Sequence, residues 1–180
     1  GTTAAAHASD SLVENRWTAG MYNALATQEE VDEHKAETVQ QEGGVHGLVY
    51  EKGTFTPIIF GATTAGNHTY DVQIGDYERI GNTVTFTICI RMITKDTNMA
   101  GAVQIGGLPF VPSSPYAACA VGRIDNVTYA SNSQGLLALI DRVFNAIVLN
   151  ENIDNATFLP LDSAKTKNAT LFYISGTYQI

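Results

Sequence analysis

The chain has 180 residues and a formal net charge of −8, with 44% hydrophobic and 16% charged residues. This length predicts one sizeable core with a small appendage and excludes two full domains. The sequence has neither a run of ~18 apolar residues nor a basic, apolar leader, so we expect no membrane span and no signal peptide. Its acidity argues against a nucleic-acid partner, because phosphate binding needs a basic face.

The acidic residues are concentrated at the start of the chain. Residues 1–44 hold eight of them against Arg16 and Lys35. Apolar side chains recur four apart between Leu12 and Leu25, which predicts an amphipathic helix. The recurring residues are Val13, Trp17, Met21 and Leu25.

A second helix is predicted to begin at the sequence TQEE, where Thr27 and Glu30 have the spacing of a capping box. Its residues are mostly charged, with Val31, His34 and Thr38 along one stripe. Such a stripe fits either the polar seam of a short trimeric coiled coil or a solvated helix lying on the following domain. We therefore predict a helical stalk within residues 1–44.

From residue 45 onward, short β-prone runs alternate with clusters of Gly, Asn, Asp and Pro. In TVTFTICIRM, five residues at alternate positions share a predicted core face: Val84, Phe86, Ile88, Ile90 and Met92. The run LLALIDRVFNAIV fits a helix or a strand, and its β-branched second half favours a strand pair with a turn near Asp141 and Arg142. The predicted fold is mainly β with N-terminal helices, with a jelly-roll-like β-sandwich over residues 45–180.

Few residues have the spacing of a conventional catalytic or metal site. Cys89 and Cys119 lie in apolar strand-like runs, so we expect both to be reduced core residues. His46 and His68 have no further ligands at metal-binding spacing, and no metal is predicted. The sequence also contains no phosphate-binding loop, dinucleotide fingerprint or nucleophile elbow, so an enzyme acting on an external substrate is not predicted.

The stretch GTFTPIIFGATTAGNHTYDVQIGDYERIGNTVTFTICIRM, followed by VQIGGLPF, resembles the C-terminal domains of bacteriophage tail fibres and tail spikes. The shared features are a Gly-x-Phe/Trp-Thr-Pro opening, a Gly-rich turn before TY, a Gly-x-Tyr-x-x-Ile-Gly-Asn step and an Ile-x-Gly-Leu-Pro-Phe turn. The match covers residues 53–110 well, and over the remainder only the spacing of the predicted strands is similar. The resemblance implies a homotrimeric virion adhesion protein.

With its predicted stalk, the chain looks most like the neck-appendage tail spikes of small Bacillus phages. Their C-terminal segment is an autochaperone that brings three chains into register and is then removed by self-cleavage. The resemblance implies the remainder of the same tail-spike chain as a partner, the host cytoplasm as the place of assembly, and the virion as the destination of the parent protein. It also implies ATP as a nucleotide that assists release. The cations available for its phosphates are Arg79, Arg91, Arg123, Arg142 and Lys95.

The stretch AHASDSLVENRW has two interpretations. Its local sequence is typical of a helix N-cap at Ser9 or Asp10. Beside a tail-spike domain, the Ser9-Asp10 bond also becomes a candidate for self-cleavage, which needs a nucleophile, a base and a polarised amide. The candidate nucleophiles are Ser9 and Asp10, the candidate bases are His7 and Glu14, and Asn15 and Arg16 are candidates to stabilise the oxyanion. Residues 1–44 would then combine a cleavage-site linker with the stalk, and any enzymatic activity would be single-turnover autoproteolysis.

The alternative function is a receptor-binding tip. In that hypothesis, loops of the jelly roll recognise a cell-wall glycopolymer such as a polysaccharide or teichoic acid. The candidate stacking residues are Tyr70, Tyr77, Tyr116 and Tyr129.

Overall fold

The computed structural model of the protein describes residues 49–154 and 158–180. These residues form ten β-strands and a 3-10 helix, Ser163–Lys165, and they contain no α-helix. The strands are β1 Tyr50–Phe55, β2 Ile58–Gly61, β3 Thr69–Ile80, β4 Thr83–Thr94, β5 Val103–Gly106, β6 Tyr116–Val127, β7 Ser133–Asp141, β8 Ala146–Ile153, β9 Leu159–Pro160 and β10 Thr166–Gln179. Within this part of the chain, no helix combines the length and hydropathy that a bilayer span requires.

All ten strands belong to one antiparallel sheet, in the order β1-β3-β4-β10-β6-β7-β8-β5-β2, with β9 paired to β8. The strands β1 and β2 occupy opposite ends of this order, although only Thr56 and Pro57 separate them in sequence. The chain from Phe55 to Ile58 can span at most ~11 Å. The sheet must therefore curl until its two ends lie close together, which gives a half-barrel.

Side chains of β3 bridge the seam between the two ends. The Tyr70 hydroxyl accepts a hydrogen bond from the Ile59 N–H at 3.1 Å and donates to the Ile59 carbonyl at 3.2 Å. Gln73 Nε2 donates to the Pro57 carbonyl at 2.9 Å. These bonds satisfy main-chain groups on the edge of the sheet that would otherwise lack a partner strand.

Side-chain alternation buries the inward side of the strands in a common core. On β4, the five residues predicted to share a core face are at most 1% exposed, which confirms that prediction: Val84, Phe86, Ile88, Ile90 and Met92. From the other half of the sheet, Ile140, Ile147 and Leu149 enter the same cluster. Burial of each such side chain contributes ~1.5–3 kcal/mol.

The predicted fold class is wrong. A jelly-roll-like sandwich has two facing sheets, whereas the described strands form one continuous sheet whose curvature buries one side of each strand. The described residues are β throughout apart from one short 3-10 helix, so this part of the chain is nearly all β and not the mixed class that was predicted. The stalk predicted within residues 1–44 lies outside the described residues.

The ambiguous run LLALIDRVFNAIV forms the predicted strand pair. The first strand, β7, ends at Asp141 and β8 begins at Ala146, so the turn lies where it was predicted. Asp141 Oδ1 accepts a hydrogen bond from the Val143 N–H at 2.8 Å. Asn145 has a φ of 47°, a left-handed conformation that asparagine tolerates in tight turns.

Candidate functional site

The outward side of the curled sheet has two regions of different chemistry. Paired residues in an antiparallel sheet project to the same side, so each outward row of side chains can be followed from strand to strand. One region lies on β1, β3, β4 and β10, and the other lies on β2, β5, β7 and β8. The two regions meet at β6.

In the first region, two outward rows carry hydroxyl and charged side chains, which we call the polar platform. Each of its two rows crosses β1, β3, β4 and β10. The first row is Lys52, Glu78, Thr85 and Thr177, and the second row is Thr54, Asp76, Thr87 and Ser175. The next outward row on the same strands is apolar, with Ile74 54% and Tyr173 44% exposed. The Thr85 and Thr177 hydroxyls lie 3.1 Å apart, so they hydrogen-bond across β4 and β10. Thr85 and Thr87 alternate with the core residues of β4, and this alternation identifies them as outward residues in the sequence.

A shallow groove of about 250 Å³ lies on the polar platform. Its lining residues are Lys52, Asp76, Tyr77, Glu78, Thr85, Phe86 and Thr87. The carboxylates accept hydrogen bonds, the ammonium donates them and the hydroxyls do both. Interaction with the Tyr50 side chain, helped by the charge of Glu78, raises the pKa of Lys52, so its ammonium stays charged. These hydrogen-bonding groups border a groove whose remaining lining, which includes Tyr77 and Phe86, is mostly apolar.

The second region is apolar. One outward row runs from Ala118 through Leu139, Val148 and Gln104 to Phe60. Beside this row, the exposed fractions are 49% for Ile58 and 37% for Leu137. We call Ile58, Phe60, Leu137, Leu139 and Val148 the apolar face. Contiguous exposed apolar side chains mark interaction surfaces.

The turn between β7 and β8 adds further apolar area next to Leu139 and Val148. Val143 and Phe144 in this turn are 85% and 55% exposed. Sequence reasoning missed the apolar face, because β2 joins the predicted β7–β8 pair only through β5, by pairings that are distant in sequence. The signal within each strand was the presence of apolar residues at both alternating positions, as in the run LLALI of β7.

The residues predicted for self-cleavage lie outside the described residues. They are His7, Ser9, Asp10, Glu14, Asn15 and Arg16. The cleavage site therefore stays a prediction.

Each of the five cations considered for ATP is engaged by a different partner. Three of them form ion pairs: Arg91 with Asp71, Arg123 with Asp125, and Arg79 with Glu51. The other two donate hydrogen bonds to main-chain carbonyls: Arg142 to that of Ser113, and Lys95 to those of Ser163 and Thr166. The described residues provide no other observation that bears on a nucleotide, and ATP stays a prediction.

The four tyrosines predicted as stacking platforms are in different environments. Tyr70 and Tyr77 pack against the core, and the Tyr77 hydroxyl donates to Glu51. Tyr116 and Tyr129 are exposed and lie outside the polar platform. The structure therefore does not bring the four rings together into one stacking surface.

Both cysteines are free, as predicted. Cys119 packs against the core, and burial raises the pKa of its thiol to about 12, so it is protonated and a poor nucleophile at neutral pH. Cys89 is half-buried on the outward side of β4, so its prediction as a core residue is wrong. Among residues 49–154 and 158–180, no cluster of three His, Cys, Asp or Glu side chains could hold a metal ion.

No protein-family model matches the chain, and no curated protein matches it. A solved structure similar to it is that of the Dettilon tailspike protein, with a TM-score of 0.61 and 19% sequence identity. The chain has a tailspike-like fold. The alignment covers 72% of this chain and 24% of the tailspike chain, so the protein spans about a quarter of that tailspike's length. The likeness confirms the resemblance at the level of the fold.

Proposed function

We propose that residues 49–180 form a trimerising domain of a phage tail spike, carried in the virion as part of a tail component. In this proposal the apolar face is the contact between copies of the chain. The observation that carries the proposal is the outward row of Leu139, Val148, Gln104 and Phe60 across the sheet, in which the polar Gln104 is buried. The tailspike-like fold supports it.

The chemistry of the apolar face favours identical copies as its partners. Residues 49–180 hold ten Asp and Glu against eight Lys and Arg, a net charge of −2, so a charged surface on this domain would add like-charge contacts between copies. The five residues of the apolar face are uncharged, so contact among them brings no like charges together. The nearest carboxylate on the same side of β7 is that of Asp141. Around a threefold axis, each copy can turn this face towards the other two. Phe60, Leu139 and Val148 are already half-buried, so burial of the rest of each side chain would contribute less than the ~1.5–3 kcal/mol of a fully exposed one.

Leu139→Lys tests the interface, with Thr87→Lys as the matched control. Both residues are half-buried outward positions within strands, and both variants gain the same side chain. We expect analytical ultracentrifugation to give trimers of the 19.3 kDa chain for the wild type and Thr87→Lys, but folded monomers for Leu139→Lys. A monomeric wild type, or trimers that persist in Leu139→Lys, would contradict the proposal.

We also propose that the chain acts as an autochaperone, which is cut once at Ser9-Asp10 after three chains are in register. This step rests on the sequence, where Asp10 and Glu14 supply a nucleophile and a base. In a longer tail-spike chain, mass spectrometry should detect a fragment beginning at Asp10. Asp10→Ala and Glu14→Ala should abolish the cut and preserve trimers, while Asp32→Ala, in the same acidic segment, should be cut normally. Intact chains in assembled trimers would exclude self-cleavage.

A second candidate function is recognition of a host cell-wall glycopolymer. The polar platform favours it, because hydroxyls, carboxylates and an ammonium border a shallow groove with a mostly apolar lining, and these groups match the hydrogen-bonding groups of a polyhydroxylated ligand. Asp76→Asn combined with Thr85→Val should abolish binding to purified cell wall, while Thr128→Val, at an exposed threonine outside the platform, should leave it unchanged. Equal binding by all variants would exclude the groove.

A further inference from the structure

Two loops meet at one end of the half-barrel. The first, residues 62–68, connects β2 to β3, and the second, residues 95–102, connects β4 to β5. A short main-chain ladder joins them: the Ala62 N–H donates to the Ala102 carbonyl at 2.8 Å, and Thr64 and Ala100 exchange two bonds of 3.1 Å. Beyond this ladder, the loops are joined through side chains.

His68 and Asp96 form the side-chain connection. His68 Nδ1 accepts a hydrogen bond from the Asp96 N–H at 3.0 Å, and Asp96 Oδ2 accepts one from the Asn67 N–H at 2.8 Å. A ring nitrogen that accepts a hydrogen bond carries no proton, so this geometry requires the neutral imidazole with its proton on Nε2. Nε2 is buried and has no hydrogen-bond partner among the described residues.

We propose that His68 is an acid-sensitive latch, which holds the two loops together when its imidazole is neutral and releases them when the ring is protonated. Protonation places an N–H on Nδ1 opposite the Asp96 N–H, so an attractive contact becomes a contact between two donors. This inference rests on the geometry of the loops and is independent of the proposed trimer.

The groups around the His68 ring shift its pKa in opposite directions. Burial lowers the pKa of His68 below its ordinary value of 6.5, against the Ala65 carbonyl and the Asp96 carboxylate, which raise it, while the Lys95 ammonium lowers it further. Tyr70, the remaining titratable neighbour, is uncharged near neutral pH and packs edge-on at a centroid distance of 6.2 Å. The net balance favours the neutral ring.

The pH range of the latch follows from this direction. In the unfolded chain His68 titrates near 6.5, whereas in the folded protein it binds its proton at lower pH. The stabilisation is therefore complete above pH 6.5 and is lost as the pH falls through the folded-state pKa. Hydrogen bonds from Asn98 and Asn67 hold the pKa of Asp96 below its ordinary value, so Asp96 stays ionised over this range.

Residue-resolved hydrogen exchange tests the latch. Between about pH 7.5 and pH 5, after correction for intrinsic rates, we expect the Asp96 amide to lose protection by about tenfold or more. The Ala62 and Thr64 amides should change less, since the ladder does not titrate. Unchanged protection of the Asp96 amide would overturn the proposal.

His68→Asn separates the latch from general acid unfolding. The Asn Oδ1 atom can occupy the position of Nδ1 and accept the same bond, but it does not titrate. We expect this variant to keep Asp96 protected at both pH values, and equal loss in the variant and the wild type would assign the effect to another group. If His68→Asn fails to fold, NMR of wild-type His68 decides, because a proton on Nδ1 at pH 7.5 would overturn the proposal.

Discussion

The two halves of the sheet have similar inward faces and differ in part of their outward faces. Inside, Ile88 of β4 and Ile147 of β8 are equally buried in one core. Outside, β4 presents Thr85 and Thr87, whereas β7 and β8 present Leu139 and Val148. A strand that buries one side leaves the other side free to vary without loss of the fold. The outward faces are therefore where two functions can be placed on one scaffold.

The largest effect is expected from large-to-small changes on the shared inward side. Ile88→Ala and Ile147→Ala should each lower the free energy of unfolding by ~2–5 kcal/mol, because both leave a cavity in the same core. Chemical denaturation measures both values, and a single cooperative transition should be retained. A variant that unfolds one half of the sheet first would show that the halves are separate folding units.

A smaller effect is expected at the carboxylate buried in the apolar half. Glu151 is 0% exposed, pairs with Lys165 and accepts a hydrogen bond from the Ala130 N–H at 2.9 Å. Glu151→Gln leaves Lys165 without its counter-charge and should cost about 2 kcal/mol, since the ammonium keeps some access to water. Asp154→Asn, at an exposed carboxylate, is the control and should be neutral.

The pH dependence of stability tests the same ion pair between Glu151 and Lys165. Burial acts to raise the pKa of Glu151, but the Ala130 N–H and Lys165 outweigh it, and the pKa lies below its ordinary value of 4.5. The folded protein therefore binds fewer protons than the unfolded chain, and this stabilisation is lost as the pH falls below 4.5. The wild type should lose more stability than Glu151→Gln between about pH 6 and pH 3. Identical profiles would contradict the role of the ion pair.

Tyr70→Phe tests the connection between the two ends of the sheet. The change removes the hydroxyl that bonds both main-chain groups of Ile59, and it should cost ~1–2 kcal/mol. Hydrogen exchange should show the Ile59 amide losing protection. Tyr116→Phe, at a 64% exposed ring, should have no measurable effect. Full protection of Ile59 in Tyr70→Phe would mean that the seam is held by other contacts.

The smallest effect is a gain in stability within the polar half. Ala169, at the start of β10, has a φ of 59°, a left-handed conformation that costs a residue with a Cβ ~1–2 kcal/mol. Ala169→Gly should relieve part of this cost and raise the free energy of unfolding by up to ~1 kcal/mol. Ala164→Gly, at another exposed alanine, should give no gain. A destabilised Ala169→Gly would contradict the interpretation of strain.

Sequence patterns predicted the local elements of the domain better than its architecture. The alternation of β4 and the turn after Asp141 were predicted correctly, because a pleated strand and a tight turn depend on neighbouring residues. The pairing of β10 with β4 and β6 joins residues that are far apart in sequence, and no local pattern specifies it. The prediction of two facing sheets was wrong for this reason.

For the candidate sites too, local features could be predicted from the sequence and features that depend on distant pairings could not. The outward hydroxyls of β4 were visible in the alternation, whereas the groove also needs Lys52 and Glu78 from two other strands. The apolar face likewise combines residues from three strands, β2, β7 and β8, which lie together only because β5 pairs with both β2 and β8. The importance of His68 could not be seen in the sequence, because its partner Asp96 belongs to a different loop.

The central place of β10 sets the order of events during synthesis. This strand is the last to leave the ribosome among those described, yet it lies between β4 and β6 and supplies Phe172 and Ile174 to the core. Until it emerges, β4 and β6 each lack the neighbour that they have in the final sheet. The sheet of the nascent domain therefore cannot be completed before β10 has been synthesised. A premature stop before Thr166 would leave two unpaired strand edges open to aggregation.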